Sequence, residues 1–362
     1  SIKCGHTELY FSNKYLANRP LKKYPIEVLL NNKKIIVSKS ETAKIPIGSE
    51  LISINGIIVA EIISQLKPFI SSDGTHDNGR NYWLSQNFFN LFDEMLSSET
   101  GICIEYVLEN KVTQATLLPT FGSKEKSIRP LLSLTFSKEE EQLIAKLKIN
   151  TFDQVALKKQ KIYFKKFLHK AFREINTKQV KKLIIDLRDN TGGTDLNAIE
   201  LYSYITSKSF KFYETLSIRK GSKRSLGFPH ALFFPVKKHD NHQNLLYTGH
   251  KGLNFISPKK IAYNGKLEIL INGGTMSAAS HFVAKCHNNF RATIIGNTTS
   301  GLYTHSNSGF HIYKKLPNTG LQLFIPAIKY ELYLPNKFSP QSGISPHIFK
   351  PDIPLVKRQK VN

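Results

Sequence analysis

Short apolar runs punctuated by turn residues fill the first third of the chain. Residues 26–30 and 35–37 are mainly apolar on either side of Asn31-Asn32, which predicts a β-hairpin. In Ile45-Pro46-Ile47-Gly48-Ser49-Glu50-Leu51-Ile52-Ser53-Ile54-Asn55-Gly56, Gly48 permits a tight turn and Leu51, Ile52 and Ile54 form a strand core. Asn55-Gly56 is a strong turn dipeptide. Val59–Leu66 reads as a helix, residues 71–79 as a polar loop, and residues 82–96 as an amphipathic helix. Residues 102–108 and 112–118 make a further hairpin.

The second half alternates between two periods. Phe164, Phe167, Leu168, Ala171, Phe172 and Ile175 form one apolar helical stripe, with Lys158, Lys159, Lys161, Lys165, Lys166, Lys170 and Arg173 on the other face. Strands are expected at 183–187, 267–271 and 292–295, with helices at 196–207 and 278–287. Helix, strand, helix, strand, helix, strand predicts an α/β layered sheet with crossover helices. A segment with Pro, Ser, Gly and mixed charge, 119–130, is either a linker or a surface loop. As a linker it divides the chain into an N-terminal region, 1–125, and a larger α/β domain, 126–362.

Composition narrows the picture. With 40% apolar and 22% charged residues over 362 positions, the chain is neither disordered nor fibrous. No window approaches the roughly 18–20 apolar residues of a membrane-spanning helix. The net charge of +24 attracts anionic surfaces. Its carriers are mostly Lys spread along the whole chain, which describes a solvated surface, and no helix-turn-helix, zinc or aromatic RNA-binding signature accompanies them. Three cysteines, Cys4, Cys103 and Cys286, are too few for a disulfide scaffold and form no CxxC pair. Ser1-Ile2-Lys3 is neither a signal peptide nor an initiator, so a trimmed chain is expected.

Two strand-end turns carry the candidate chemistry. In Ile184-Ile185-Asp186-Leu187-Arg188-Asp189-Asn190-Thr191-Gly192-Gly193, a buried strand runs into charged residues and then paired glycines. Such glycines either shape a helix-entry turn or let backbone N–H groups approach a substrate oxygen. In Ile271-Asn272-Gly273-Gly274-Thr275-Met276-Ser277-Ala278-Ala279-Ser280, a second strand leads to a serine at a helix start. That serine is either an N-cap or a nucleophile exposed by a sharp turn.

Taken in order, these motifs resemble the S41 serine peptidases, the tail-specific processing family that includes the tricorn protease core. The stretch 184–193 resembles the family's D-L-R-x-N-x-G-G strand end, and Gly274-Thr275-Met276-Ser277-Ala278-Ala279 its T-x-S-A nucleophile turn. Ile294-Ile295-Gly296-Asn297-Thr298-Thr299-Ser300-Gly301 resembles the strand and glycine loop that follow, and residues 45–62 a PDZ-like G-x-x-L-x-x-I-N-G stretch. The resemblance implies a ClpP/crotonase-like catalytic domain beside a smaller PDZ-like α+β module.

The resemblance also assigns roles. Ser277 would be the nucleophile, and the N–H groups of Gly192, Gly193 and Ala278 the oxyanion donors. One branch of the family takes its base from a lysine after the glycine loop, where this chain has Leu302. The tricorn-like branch uses an N-terminal histidine, and Cys4-Gly5-His6-Thr7 partly matches its motif, making His6 the candidate base. The orienting acid expected before Gly343-Ile344-Ser345-Pro346-His347 is absent, leaving Glu331 or Gln341. Expectations that follow are a serine endopeptidase acting on peptides or unfolded proteins, no metal or cofactor, no specific nucleic acid and an extracytoplasmic location. The alternative is a catalytically degenerate peptide-binding relative.

Overall fold

A computed structural model describes residues 4–10, 22–31, 33–74, 77–96, 101–121, 130–222, 235–238, 243–336 and 342–350. In chain order, strand β1 (Glu8–Tyr10) is followed by the hairpin β2 (Ile26–Asn31) and β3 (Lys34–Ser40), then β4 (Glu50–Ile54), helices α1 (Val59–Leu66) and α2 (Asn78–Met95), and the hairpin β5 (Ile102–Leu108) and β6 (Lys111–Leu117). β7 (Leu132–Glu139), β8 (Gln142–Ile149), α3 (Phe164–Thr177), β9 (Lys182–Asp186) and α4 (Asp195–Ser203) come next. The chain continues through β10 (Tyr213–Arg219), β11 (Lys266–Ile271), α5 (Ala278–Asn288), β12 (Thr293–Gly296), β13 (His305–Lys315), β14 (Gln322–Leu332) and β15 (Ile348–Phe349).

The N-terminal unit is an antiparallel sheet in the order β2-β3-β4-β5-β6, closed by α1 and α2. Alternation in β2 and β5 turns Ile26, Val28, Ile102, Ile104 and Tyr106 inward. They pack with Ile62 and Leu66 of α1 and with Leu84, Phe88 and Phe92 of α2 into one apolar core. Asn55 and Gly56 both take positive φ, +50° and +78°, as the turn after β4 requires.

The second core belongs to a sheet in the order β7-β8-β9-β11-β12-β15. β8, β9, β11, β12 and β15 run parallel, in register Ile185↔Ile269 and Ile269↔Ile294. This is the expected α/β layer, a mainly parallel sheet with crossover helices. β13, β14, β10 and β1 belong to a further antiparallel sheet. In it β14 pairs with β13 along one edge, and its other edge is shared by β10, through 328–332, and β1, through 322–324. A segment from the very start of the chain is thereby fastened to a strand more than 300 residues later.

Three expected boundaries change. The helix anticipated at 196–207 ends at Ser203, because Tyr204 N–H bonds Leu201 O and Ile205 N–H bonds Tyr202 O, tightening the last turn. The polar stretch 71–79 yields its last two residues to α2, whose N-cap Asp77 is gripped by Lys67 at 2.7 Å. The basic residues assigned to one helix face are divided. Lys158 and Lys159 end a separate short helix, Gln154–Lys159, and Lys161 sits in a left-handed turn with φ +58°. Gln341 and most of the segment 119–130 lie outside the described residues.

Candidate active site

The two glycine turns meet at the carboxyl ends of β9 and β11, where open parallel sheets hold ligands. They are tied together by main chain and by amides. Met276 N–H donates to Asn190 O at 3.1 Å, and Asp189 N–H donates to Asn272 Oδ1 at 2.9 Å. Asn272 Nδ2 returns a bond to Asp189 Oδ1 at 2.7 Å, and Tyr82 of α2 donates to the same oxygen at 2.9 Å. Tyr82 also covers the Gly273-Gly274 turn: a Cβ at either glycine would lie 2.6 Å from its side chain. A residue of the N-terminal unit thus holds both turns together, a contact with no signal in sequence spacing.

Ser277 occupies the N-cap position of α5, yet its hydroxyl makes no capping bond. Its backbone sits at φ +54° and ψ −127°, a conformation that costs a non-glycine residue on the order of 1–3 kcal/mol. Strain of this kind persists only where surrounding structure enforces it. Here Gly192 lies against the serine, and a Cβ at Gly192 would fall 2.7 Å from Ser277 Cβ and 2.9 Å from Ala278 N. Gly301 closes the other side, with Ser277 N 3.1 Å from its would-be Cβ. The serine, 8% exposed, therefore sits at the amino end of α5, where the helix dipole is positive.

The Asn190 side chain folds the glycine turn. Its Oδ1 accepts from Gly192 N–H at 2.9 Å while its Nδ2 donates to Ile149 O at 2.9 Å. Gly193 forms a parallel bridge with Phe152, in which Phe152 N–H donates to Gly192 O and Thr194 N–H to Phe152 O. That pattern turns the Gly193 N–H to the opposite edge from Phe152. Asp186, fully buried, takes a bidentate Arg188 at 2.9 and 2.7 Å, with Lys146 at 3.2 Å. Burial pushes its carboxyl pKa up, but Arg188 and Lys146 outweigh burial and hold it below the usual range.

The His6 segment packs on the residue before the serine. A Cβ at Gly5 would lie 2.6 Å from Met276 Cε and 3.3 Å from Asp73 N. Gly5 N–H donates to Asp73 Oδ1 at 2.7 Å, and His6 Nδ1 lies 4.0 Å from Asp73 Oδ2. A cleft of about 690 Å³ runs beside them, lined among others by His6, Leu9, Phe69, Trp83, Thr191 and Met276. Burial, and then the proximity of His311, lowers the His6 pKa from 6.5 to about 4, so the ring is neutral at physiological pH.

Other candidates are placed elsewhere. Glu331 is engaged by Thr215 and Lys329 and sits opposite His305 in the β13–β14 ladder. Leu302 is buried and bridges to Gly343. His281, one turn into α5, is enclosed between Tyr213 OH at 3.1 Å and Ser306 Oγ at 2.9 Å, and burial lowers its pKa to about 3. His347 accepts from Ile294 N–H at 2.9 Å and stacks on His287 at 4.8 Å. Cys286 is buried in the core. Among the described residues no three His, Cys, Asp or Glu side chains gather to hold a metal ion, and no helix is long and apolar enough to cross a membrane.

Comparison with known proteins adds the lineage. The family model described as Peptidase family S41 matches residues 143–349, more than half of the chain. No curated protein sequence matches. Among solved structures, mature CPAF superposes with a TM-score of 0.65 at 14% identity, covering 95% of this chain and 79% of that one. Mature CPAF complexed with lactacystin gives a TM-score of 0.65 at 14% identity, covering 96% of this chain and 81% of that one. At such identity these two likenesses bear on the fold.

Proposed function

We propose that this chain, which belongs to peptidase family S41 and is a serine-type peptidase, cleaves internal peptide bonds by acyl transfer, with Ser277 as nucleophile and His6 as general base. Its substrates are peptides or proteins, as its family implies. Ser277 Oγ attacks the scissile carbonyl carbon while its proton passes to His6. The tetrahedral intermediate collapses as the C–N bond breaks, and the His6 proton goes to the leaving amine. Water, deprotonated by the same imidazole, then releases the acyl group and restores the serine.

The observation that carries this reading is the strained Ser277 backbone, φ +54°, which presents an uncapped hydroxyl at the start of α5 with Gly192 pressed against it. The developing oxyanion is assigned to the N–H groups of Ala278 and Gly193. Gly192, whose own N–H is taken by Asn190, contributes by lacking a side chain in the space beside Ser277. Each donor in such a hole is worth about 2.7–4 kcal/mol of barrier. A Ser-Lys mechanism of the type found elsewhere in the family lacks its residue, since Leu302 occupies that position.

The N-terminal sheet unit, with its PDZ-like 45–62 stretch, is assigned to holding an extended peptide near the cleft. An extracytoplasmic location is part of the same proposal. Fluorophosphonate labelling tests the core of it. Wild type should be labelled and Ser277→Ala should not, whereas equal labelling of both removes Ser277 as nucleophile. Cleavage of a quenched unfolded protein should be lost in the same variant.

A further inference from the structure

We propose that Asp73, contributed by the loop between α1 and α2, is the positioning acid of this peptidase: its carboxylate orients the His6 imidazole and stabilises the imidazolium formed when Ser277 is deprotonated. The inference rests on the Ser277–His6 reading and deepens it by naming a residue at the position where Glu331 and Gln341 were the sequence candidates.

The geometry sets Asp73 apart. Its side chain is only 3% exposed, and its Oδ1 accepts the Gly5 N–H at 2.7 Å, fixing the carboxylate to the residue before His6. The second oxygen, Oδ2, lies 4.0 Å from His6 Nδ1. That ring nitrogen is itself buried with no hydrogen-bond partner among the described residues. A buried polar nitrogen facing a buried carboxylate across 4 Å needs a ring displacement of about 1 Å to make an N–H···O bond, and catalytic bonds in unliganded sites are commonly long. Donation from Nδ1 to Asp73 fixes the tautomer, leaving Nε2 as the lone-pair nitrogen for the Ser277 proton. Asp73 accepts a hydrogen bond and remains a carboxylate throughout; the proton shuttles only between Ser277, His6 and the leaving amine.

The chemistry needs such a partner. His6 is buried beside two other imidazoles, His311 on β13 and His281 on α5, while His305, also on β13, faces Asp73 together with Lys329 and Glu331 of β14. Glu8 is the acid on its own segment, and burial raises its pKa. A neutral, desolvated imidazole is a weak base, and charging it beside two other histidines is unfavourable. The Asp73 carboxylate, 4.0 Å away, is the counter-charge that a tightened Nδ1–H···Oδ2 bond brings to the imidazolium.

The test uses the full-length enzyme and Asp73→Asn. Asparagine keeps an oxygen for the Gly5 N–H and so preserves docking of the His6 segment, while removing the charge. The labelling rate with a fluorophosphonate at pH 7 should fall about 10²–10⁴-fold. A negative neighbour raises an imidazole pKa, so its removal should move the acid limb of the rate–pH profile down by about one unit or more. An unshifted profile and a wild-type rate in Asp73→Asn, with labelling abolished in His6→Ala, would overturn the role of Asp73 and leave the base intact. Wild-type labelling in His6→Ala would overturn the Ser277–His6 reading itself. Should Asp73→Asn not fold, proton NMR of the wild-type enzyme with a peptidyl boronate bound decides the question. A far-downfield imidazole N–H resonance from carboxylate-bonded His6 supports the role, and its absence refutes it.

Discussion

Substituting Gly192 by alanine separates two costs that the structure predicts from different causes. The first is backbone strain: Gly192 has φ +96°, where an L side chain costs about 1–3 kcal/mol. The second is overlap. The new Cβ would sit 2.7 Å from Ser277 Cβ and 2.9 Å from both Ala278 N and Met276 O, against an ordinary carbon–carbon contact of about 3.5–4.0 Å. All three neighbours are backbone or Cβ atoms, so relief requires moving the serine turn by about 1 Å. A displacement of that size at reacting groups costs about 100-fold in rate, or about 2.7 kcal/mol of barrier. Gly56→Ala is the internal control. Gly56 has φ +78°, but a Cβ there meets nothing within 4 Å, so it carries strain without overlap. Urea unfolding should show Gly56→Ala destabilised by about 1–2 kcal/mol with labelling within twofold of wild type. Gly192→Ala should lose about 2–4 kcal/mol and at least about 100-fold in fluorophosphonate labelling at a pH where it is folded. Labelling of folded Gly192→Ala within fivefold of wild type, or an equal loss in Gly56→Ala, would refute the packing argument.

Ser277→Gly should abolish labelling yet raise stability by about 1 kcal/mol or more in the same unfolding assay, because glycine relieves the φ +54° strain; a destabilised glycine variant contradicts the strain. His6 and His281 have folded pKa values of about 4 and about 3 against 6.5, so the unfolded chain binds protons that the native state refuses. Stability is therefore full above pH 6.5 and falls as pH drops toward 4, by on the order of a few kcal/mol per group. Denaturation midpoints that stay flat from pH 7 to pH 4.5 would contradict this. Lys285→Ala should lose about 2–4 kcal/mol, because its buried Nζ donates to the carbonyls of Lys211 and Tyr333, which truncation strands; a loss under 0.5 kcal/mol in urea unfolding refutes it. Tyr82→Phe removes the hydroxyl that donates to Asp189 at 2.9 Å, and steady-state assays should show a several-fold fall in kcat with little change in KM, whereas a change in KM alone would mean that Tyr82 only contacts substrate.

The chain by itself determined its strand and helix layering, because a buried strand leaves a short, largely apolar run such as 267–271 and a helix buried on one face leaves a stripe such as Phe164 to Ile175. It also determined the serine turn and the paired glycines, because close backbone approach admits only small residues, and Gly192 and Gly301 both abut Ser277. What it left open was the identity of groups that act across space. Asp73 and Tyr82 lie in a loop and a helix of the N-terminal unit, with no spacing that ties them to His6 or Asp189. Only the tertiary structure brings these residues together, because hydrogen bonds and charge interactions depend on separations of a few ångströms. Those separations arise when β1 is fastened to β14 and α2 comes to rest against the glycine turns. Which glycine N–H groups are left available was likewise decided by folding: Asn190 takes one and the bridge to Phe152 turns the next one to the other edge.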